Sequence, residues 1–205
     1  YDLSYLTRRT LFNFDNDATS CYDRILVPLA SVINRKYGLD RRIVAIHAKT
    51  LQQAEFRLKT TTGVSDISYH HCPNFPIHGT GQGSGNSPSV WLFISSTLFD
   101  VHASQSYGAT FISPDGLMKL RLSMVGFVDD STGSCNDFRP NTQAPMHQMC
   151  RLMEHDAQLW SDLLYCSGGR LELPKCSFHV LHFDFLANGK PVPSLKRYDD
   201  QIHVL

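Results

Sequence analysis

Residues 124–133 read MVGFVDDSTG: a run from Met124 through Val125, Gly126 and Phe127 to Val128 leads straight into two adjacent acids, Asp129 and Asp130. The run suits a buried strand. The Asp, Ser, Thr and Gly that follow are ordinary turn formers, so the plainest reading is a strand ending in a solvent-exposed turn. The alternative is a metal site at a hairpin tip, where a rigid sheet holds carboxylates together and divalent cations offset their repulsion. That alternative needs a third carboxylate from elsewhere.

Asp17 meets the requirement. In TLFNFDND, Leu11, Phe12 and Phe14 precede a cluster of acids, which reads as a strand ending near Asp17. If this strand pairs beside the one preceding Asp129, the three acids converge at one end of a sheet. Such a trio suits two-metal nucleotidyl transfer. One divalent ion lowers the pKa of an attacking hydroxyl and the other steadies a leaving pyrophosphate.

The elements around these strands alternate in type. From Tyr22 to Tyr37, Ile25, Leu29, Val32 and Ile33 share a helical face, with Gly38 suited to the C-terminal cap. A second helix is predicted from about Arg42 to Ala54, with Ile43, Ile46 and Leu51 inward. EFRLKTTTGVSDISY alternates Phe56, Leu58 and Thr60, turns near Gly63 and returns through Ile67 and Tyr69, an insert hairpin. The glycine-rich GTGQGSGNSP opens a helix with Ser87 as N-cap, Pro88 at the first helical position, and Val90, Trp91, Ile94, Leu98 and Val101 buried.

ATFISPDGLMKLRLSMVGFVDD then reads as strand, Pro-Asp-Gly turn and strand. A long helix follows from about Ala144 to Cys166, with Met149, Leu152, Met153, Leu159, Trp160 and Leu163 inward, stopped by Gly168 and Gly169. FHVLHFDF closes the pattern as a strand or hairpin. The fold class is α+β with a mainly antiparallel sheet.

Composition sets limits on function. The chain has 205 residues, 42% of them hydrophobic, enough for one good core or a domain with a modest insert. Lys plus Arg and Asp plus Glu both total 19, so the formal net charge is zero. A protein that holds nucleic acid unaided usually carries a basic surplus, which argues against a complete binder and less strongly against a fragment of one. Six scattered cysteines, with no CxxC pair and no secretory leader, predict reduced thiols in an intracellular compartment. The apolar runs are too short to span a bilayer, so no membrane partner is expected. The start at Tyr1 without an initiator Met and the close on QIHVL predict an excised segment of a longer chain.

FDNDATSCYD (14–23), GTGQGSGNSP (79–88) and FVDD (127–130), in that order, resemble the three central motifs of the reverse transcriptase palm, of retrotransposon type, and SGGRLELPKCSFHVLHF (167–183) is similar to the next two. The resemblance spans about residues 10 to 186. Three ordered motifs are far more specific than any one. It implies a polymerase palm whose antiparallel sheet is packed by helices on one face, with part of the fingers at about residues 40–80. Residues 177–205 would hold a primer-grip-like hairpin, Phe178 to Phe185, and the start of the following region.

What the resemblance implies about the site follows position by position. Asp17 and Asp129 would ligate two Mg2+ ions, Mn2+ being able to substitute, and Asp130 would support them. Tyr22 would be the steric gate that excludes a 2′-hydroxyl, against its plain reading as a core anchor. Gln82 and Gly83 would lie against the incoming nucleotide and template base, and Lys175 near the triphosphate as a general acid. The plain reading of Lys175 is a solvated lysine before a strand. Asp23 could simply cap its helix, and Asp15 matches no motif position and reads as a local turn or solvent residue.

The implied partners are an RNA template, a DNA or RNA primer, dNTPs, and the remaining fingers, thumb and other domains. Basic fingers residues upstream of Asp17 are few, Arg8 and Arg9 among them, and thumb helices are missing, which bears on activity of this segment alone. Two rival readings are an RNA-templated RNA polymerase, disfavoured by Tyr22, and a non-catalytic remnant or interaction module of a decayed retroelement. Zinc is disfavoured: His70, His71, Cys72 and His78 lack ligand spacing and a second Cys pair, and His147 with Cys150 is weaker still.

Overall fold

Apolar periodicity and turn chemistry set the order of elements in the computed structural model, which describes residues 2–19, 21–74, 76–81, 83–128, 130–137, 146–194 and 204. They are α1 (Asp2–Thr7), β1 (Leu11–Asp17), α2 (Cys21–Arg24), α3 (Val27–Lys36), α4 (Arg41–Gln53), β2 (Glu55–Thr60), β3 (Gly63–His70), α5 (Ser87–Gln105), β4 (Ala109–Ile112), β5 (Lys119–Leu122), β6 (Met124–Phe127), β7 (Asp130–Asn136), α6 (Met146–Cys166), β8 (Ser177–Leu181), β9 (Phe183–Phe185) and β10 (Pro191–Pro193). The result is a mixed α+β fold with antiparallel sheets. The chain forms two compact units: residues 1–19, 98–166 and 170–205 make the first, and residues 20–97 and 167–169 the second.

The first unit is built on a four-stranded antiparallel sheet in the order β6-β7-β1-β8. β1 sits centrally between β7 and β8, and Leu11, Phe12 and Phe14 are all buried. α6 packs on β7 and β1 through Met149, Met153, Trp160 and neighbours that are almost fully buried. Each such side chain contributes about 1.5–3 kcal/mol of transfer free energy. Leu11 also meets Ala109 and Phe111 of the separate β4–β5 hairpin. α6 keeps its expected span within the described residues, but Cys150, Asp156, Ala157 and Leu164 join its buried face, whereas Leu152, Leu159 and Leu163 are only half-buried.

Four expectations for these strands change. β1 lies beside β7, the strand after the acids, and not beside β6. The apolar run 124–128 is not buried: β6 is an edge strand, with Val125, Phe127 and Val128 largely exposed. Ser123 separates β5 from β6, so the run from Met118 to the acids is two strands of two sheets. Phe178 to Phe185 likewise forms no single hairpin, because β8 extends the main sheet beside β1 while β9 pairs with β10.

In the second unit, the helix read from Tyr22 to Tyr37 divides into α2 and α3. Pro28, which has no N–H to give, stands in the first turn of α3. Val27, Ala30 and Ile33 are buried, whereas Val32 is 67% exposed. α4 buries Val44 and leaves Ile43 and Ile46 outward, the reverse of the expected face. β2 and β3 pair as the expected hairpin, returning at Gly63. The first turn of α5 begins at Asn86, whose carbonyl accepts the Val90 N–H. Ser87 is therefore not the N-cap; its hydroxyl donates backward to the carbonyls of Thr80 (3.0 Å) and Gly81 (2.8 Å).

Candidate functional site

β1 and β7 are joined by more than their backbone ladder. The hydroxyl of Ser134 donates to Oδ1 of Asn13 (2.8 Å), that of Thr132 to Oδ1 of Asp15 (2.7 Å) and that of Ser131 to Oδ1 of Asn16 (2.5 Å). In each pair the two residues are direct cross-strand partners. The indole Nε1 of Trp160 also donates to Asn16 (2.8 Å), tying the sheet to α6. Asn13, Asn16, Ser131 and Ser134 are buried, so these pairs satisfy hydroxyls and amide oxygens whose desolvation would otherwise be costly, while Nδ2 of Asn16 has no hydrogen-bond partner among the described residues.

The next pair in this series joins Asp17 to Asp130. Two carboxylates cannot donate to each other, and like charges directly opposite on a sheet are destabilising. A cation is the remedy. Lys175 provides one, with Nζ 2.8 Å from Oδ2 of Asp17.

The backbone brings Lys175 there. The N–H of Thr19 donates to the carbonyl of Arg170 (2.8 Å), and the N–H of Glu172 donates to that of Asp17 (3.0 Å). The hydroxyl of Thr19 donates to the Glu172 carboxylate (2.7 Å). Residues 173–175 then make a 3-10 turn, closed by the Lys175 N–H on the Glu172 carbonyl. Lys175 is thus neither a plain solvated lysine nor distant from the acids.

Cys176 follows it, half-buried. Burial, joined by the charges of Asp17 and Glu172, pushes its thiol above the ordinary range against a backbone hydrogen bond from Asp17, so a protonated sulfur borders the site. Asp15, expected in a turn or solvent, is a strand residue that accepts from Thr132 and pairs with His179 (3.1 Å).

β6 returns to β7 through two residues, because Phe127 faces Asp130 across the ladder. Val128, the first of them, has φ +59°. Hairpins this short favour left-handed residues, and a branched side chain is a poor occupant of that region. Asp129, the second, lies outside the described residues. Among the described residues no three metal-ligating side chains converge. The described donors are therefore two opposed carboxylates, Asp17 partly and Asp130 well exposed to solvent, with a cation already on one of them. That hard, anionic, open oxygen set fits a magnesium-like ion.

The remaining expected residues belong to the second unit. Tyr22 is half-buried in α2, its ring edge-on to Trp91 (6.4 Å between centroids), and its carbonyl accepts the Thr80 N–H (2.8 Å). The glycine-rich loop is pinned where it meets α2. A Cβ on Gly79 would lie 2.5 Å from the Asp23 backbone, and the Gly79 N–H donates to the carbonyl of Ile25 (2.8 Å). Gly83 has open space where a Cβ would point. Gln82 lies outside the described residues.

Sequence reading missed Asn13, Asn16, Thr19 and Glu172, which position the site. One signal was present: the polar positions of LFNFDND match the hydroxyls of DSTGSCN as acceptor to donor.

No family model matches this sequence, and no curated protein does. Solved structures do. Telomerase of Candida tropicalis in complex with a fragment of telomeric RNA superposes with a TM-score of 0.55 at 13% identity, over 87% of this chain. The apo telomerase of the same organism, truncated from its C-terminal domain, gives 0.51 at 13% identity over 85%. The chain spans 27% and 31% of the lengths of those two chains. The likeness is one of fold: the mixed α+β, palm-like architecture is shared with these telomerase chains. No described helix is long and apolar enough to cross a membrane.

Proposed function

We propose that this chain is the palm, with part of the fingers, of an RNA-directed DNA polymerase of retrotransposon type that adds deoxynucleotides to a primer 3′-hydroxyl. The observation that carries the reading is the Asp17–Asp130 pair, fixed in register at the end of two zipped strands and attended by Lys175. The order of the three motifs and the palm-like fold support it.

In this reading Asp17 and Asp129 hold two Mg2+ ions and Asp130 supports them. When bound, such ions activate the attacking hydroxyl and stabilise the leaving pyrophosphate. β1 and β7 keep the carboxylates in place, so little reorganisation is needed at the moment of reaction. Tyr22 selects the sugar, Gln82 and Gly83 position the nucleotide and template base, and Lys175 serves the triphosphate. An RNA template, a primer, dNTPs, and fingers and thumb regions of a longer polypeptide are the proposed partners, a proposal consistent with the chain's short span of the telomerase chains.

Primer extension on an RNA template with Mg2+ and dNTPs tests this. Asp17→Asn and Asp129→Asn should each lower the rate at least about 100-fold, the scale of losing one electrostatic stabiliser of the transition state. Extension that survives both substitutions would sink the reading.

A further inference from the structure

Resting on that metal-site reading, we propose that Lys175 is the resident counter-cation of Asp17 and that a divalent ion must displace it to bind. The ammonium lies 2.8 Å from Oδ2 of Asp17. A magnesium ion takes a carboxylate oxygen at about 2.0–2.1 Å, so the two cations crowd one carboxylate, compete for its charge and repel each other. The exchange is easy for this side chain. Its turn is fastened to the end of β1 by the Glu172 N–H and the Thr19 hydroxyl, while the side chain itself is 66% exposed. A flexible four-carbon stem can swing the charge into solvent without moving the backbone.

The competition has a definite sign. Removing the lysine charge leaves the opposed carboxylates of Asp17 and Asp130 without that neutralisation and should raise their affinity for a divalent ion. A lysine that served only the triphosphate would leave metal affinity unchanged when no nucleotide is present.

The test titrates the whole chain with Mn2+ at low ionic strength and without nucleotide, following the free-ion signal by electron paramagnetic resonance. Wild type is compared with Lys175→Ala, Lys175→Arg and Asp17→Asn, and matching melting temperatures establish that each is folded. Lys175→Ala should bind Mn2+ about three- to tenfold more tightly, the modest range of an exposed pair at low salt. Lys175→Arg should stay near wild type and Asp17→Asn should lose the site. Binding by Lys175→Ala alone would support the proposal in stronger form. If wild type binds and Lys175→Ala binds no more tightly, the exchange is overturned while the metal site stands. If neither binds, the metal site falls and the exchange with it.

Discussion

Val128 holds a left-handed backbone at φ +59° on a branched residue, directly after β6 and ahead of β7. That conformation costs an L-residue about 1–2 kcal/mol, and asparagine tolerates it far better. Val128→Asn should therefore raise stability by about 1 kcal/mol, read as a higher urea midpoint at unchanged slope. No gain would mean that other contacts of Val128 outweigh its strain. Gly168 is the opposite case: a Cβ there would lie 2.1 Å from the carbonyl oxygen of Arg24, on a backbone at φ +94°. Gly168→Ala should cost at least about 2 kcal/mol, measured the same way. The sequence read Gly168 only as a helix stop, because a close approach by a residue far away in the chain leaves no local mark.

Among the elements, β7 was the hardest to read. DSTGSCN has no apolar alternation, yet six of its seven residues are buried or half-buried, because hydroxyl-to-amide pairs with β1 replace hydrophobic contact. β6 misled in the opposite direction, since an apolar run fits an edge as well as a core strand and composition does not say which strand has two neighbours. The helices show the same limit. Period 3.6 located α4 and α6, but which stripe finds a partner is a tertiary matter, hence the outward Ile43 and Ile46. Asn16 puts a number on the polar zipper: it accepts from Ser131 and Trp160 at once, both buried. Asn16→Ala should cost about 2–4 kcal/mol, since it strands two donors of about 1–3 kcal/mol each. A chemical denaturation curve within about 0.5 kcal/mol of wild type would show that water replaces the amide without loss.

For the chain as a whole, the response to acid has a traceable source. His102 is 1% exposed; its Nε2 bonds to the Asp156 carbonyl (3.0 Å), and its Nδ1 has no hydrogen-bond partner among the described residues. Burial depresses its pKa below the ordinary 6.5, against the hydrogen bond and charge of Asp156, with Arg121 and His155 lowering it further. The unfolded chain thus takes up a proton near 6.5 that the folded chain refuses. Stability from the neutral ring is complete above that pH and is lost as pH falls through the lowered folded value. His102→Gln should flatten the decline in unfolding free energy between about pH 7 and pH 5, and an unchanged slope would assign the decline to other groups.

The zipper between β1 and β7 has a last implication, for tolerance to change. Apolar packing is forgiving of direction, whereas a hydroxyl facing an amide is not, so sliding one strand by a single residue would strand several buried partners together. The interval between Asp17 and Asp130 is therefore indexed by the strands and not by the core beneath. Drift among the methionines of α6 can soften the molecule while the two carboxylates keep their spacing, as marks on a ruler do when the table under it is replaced.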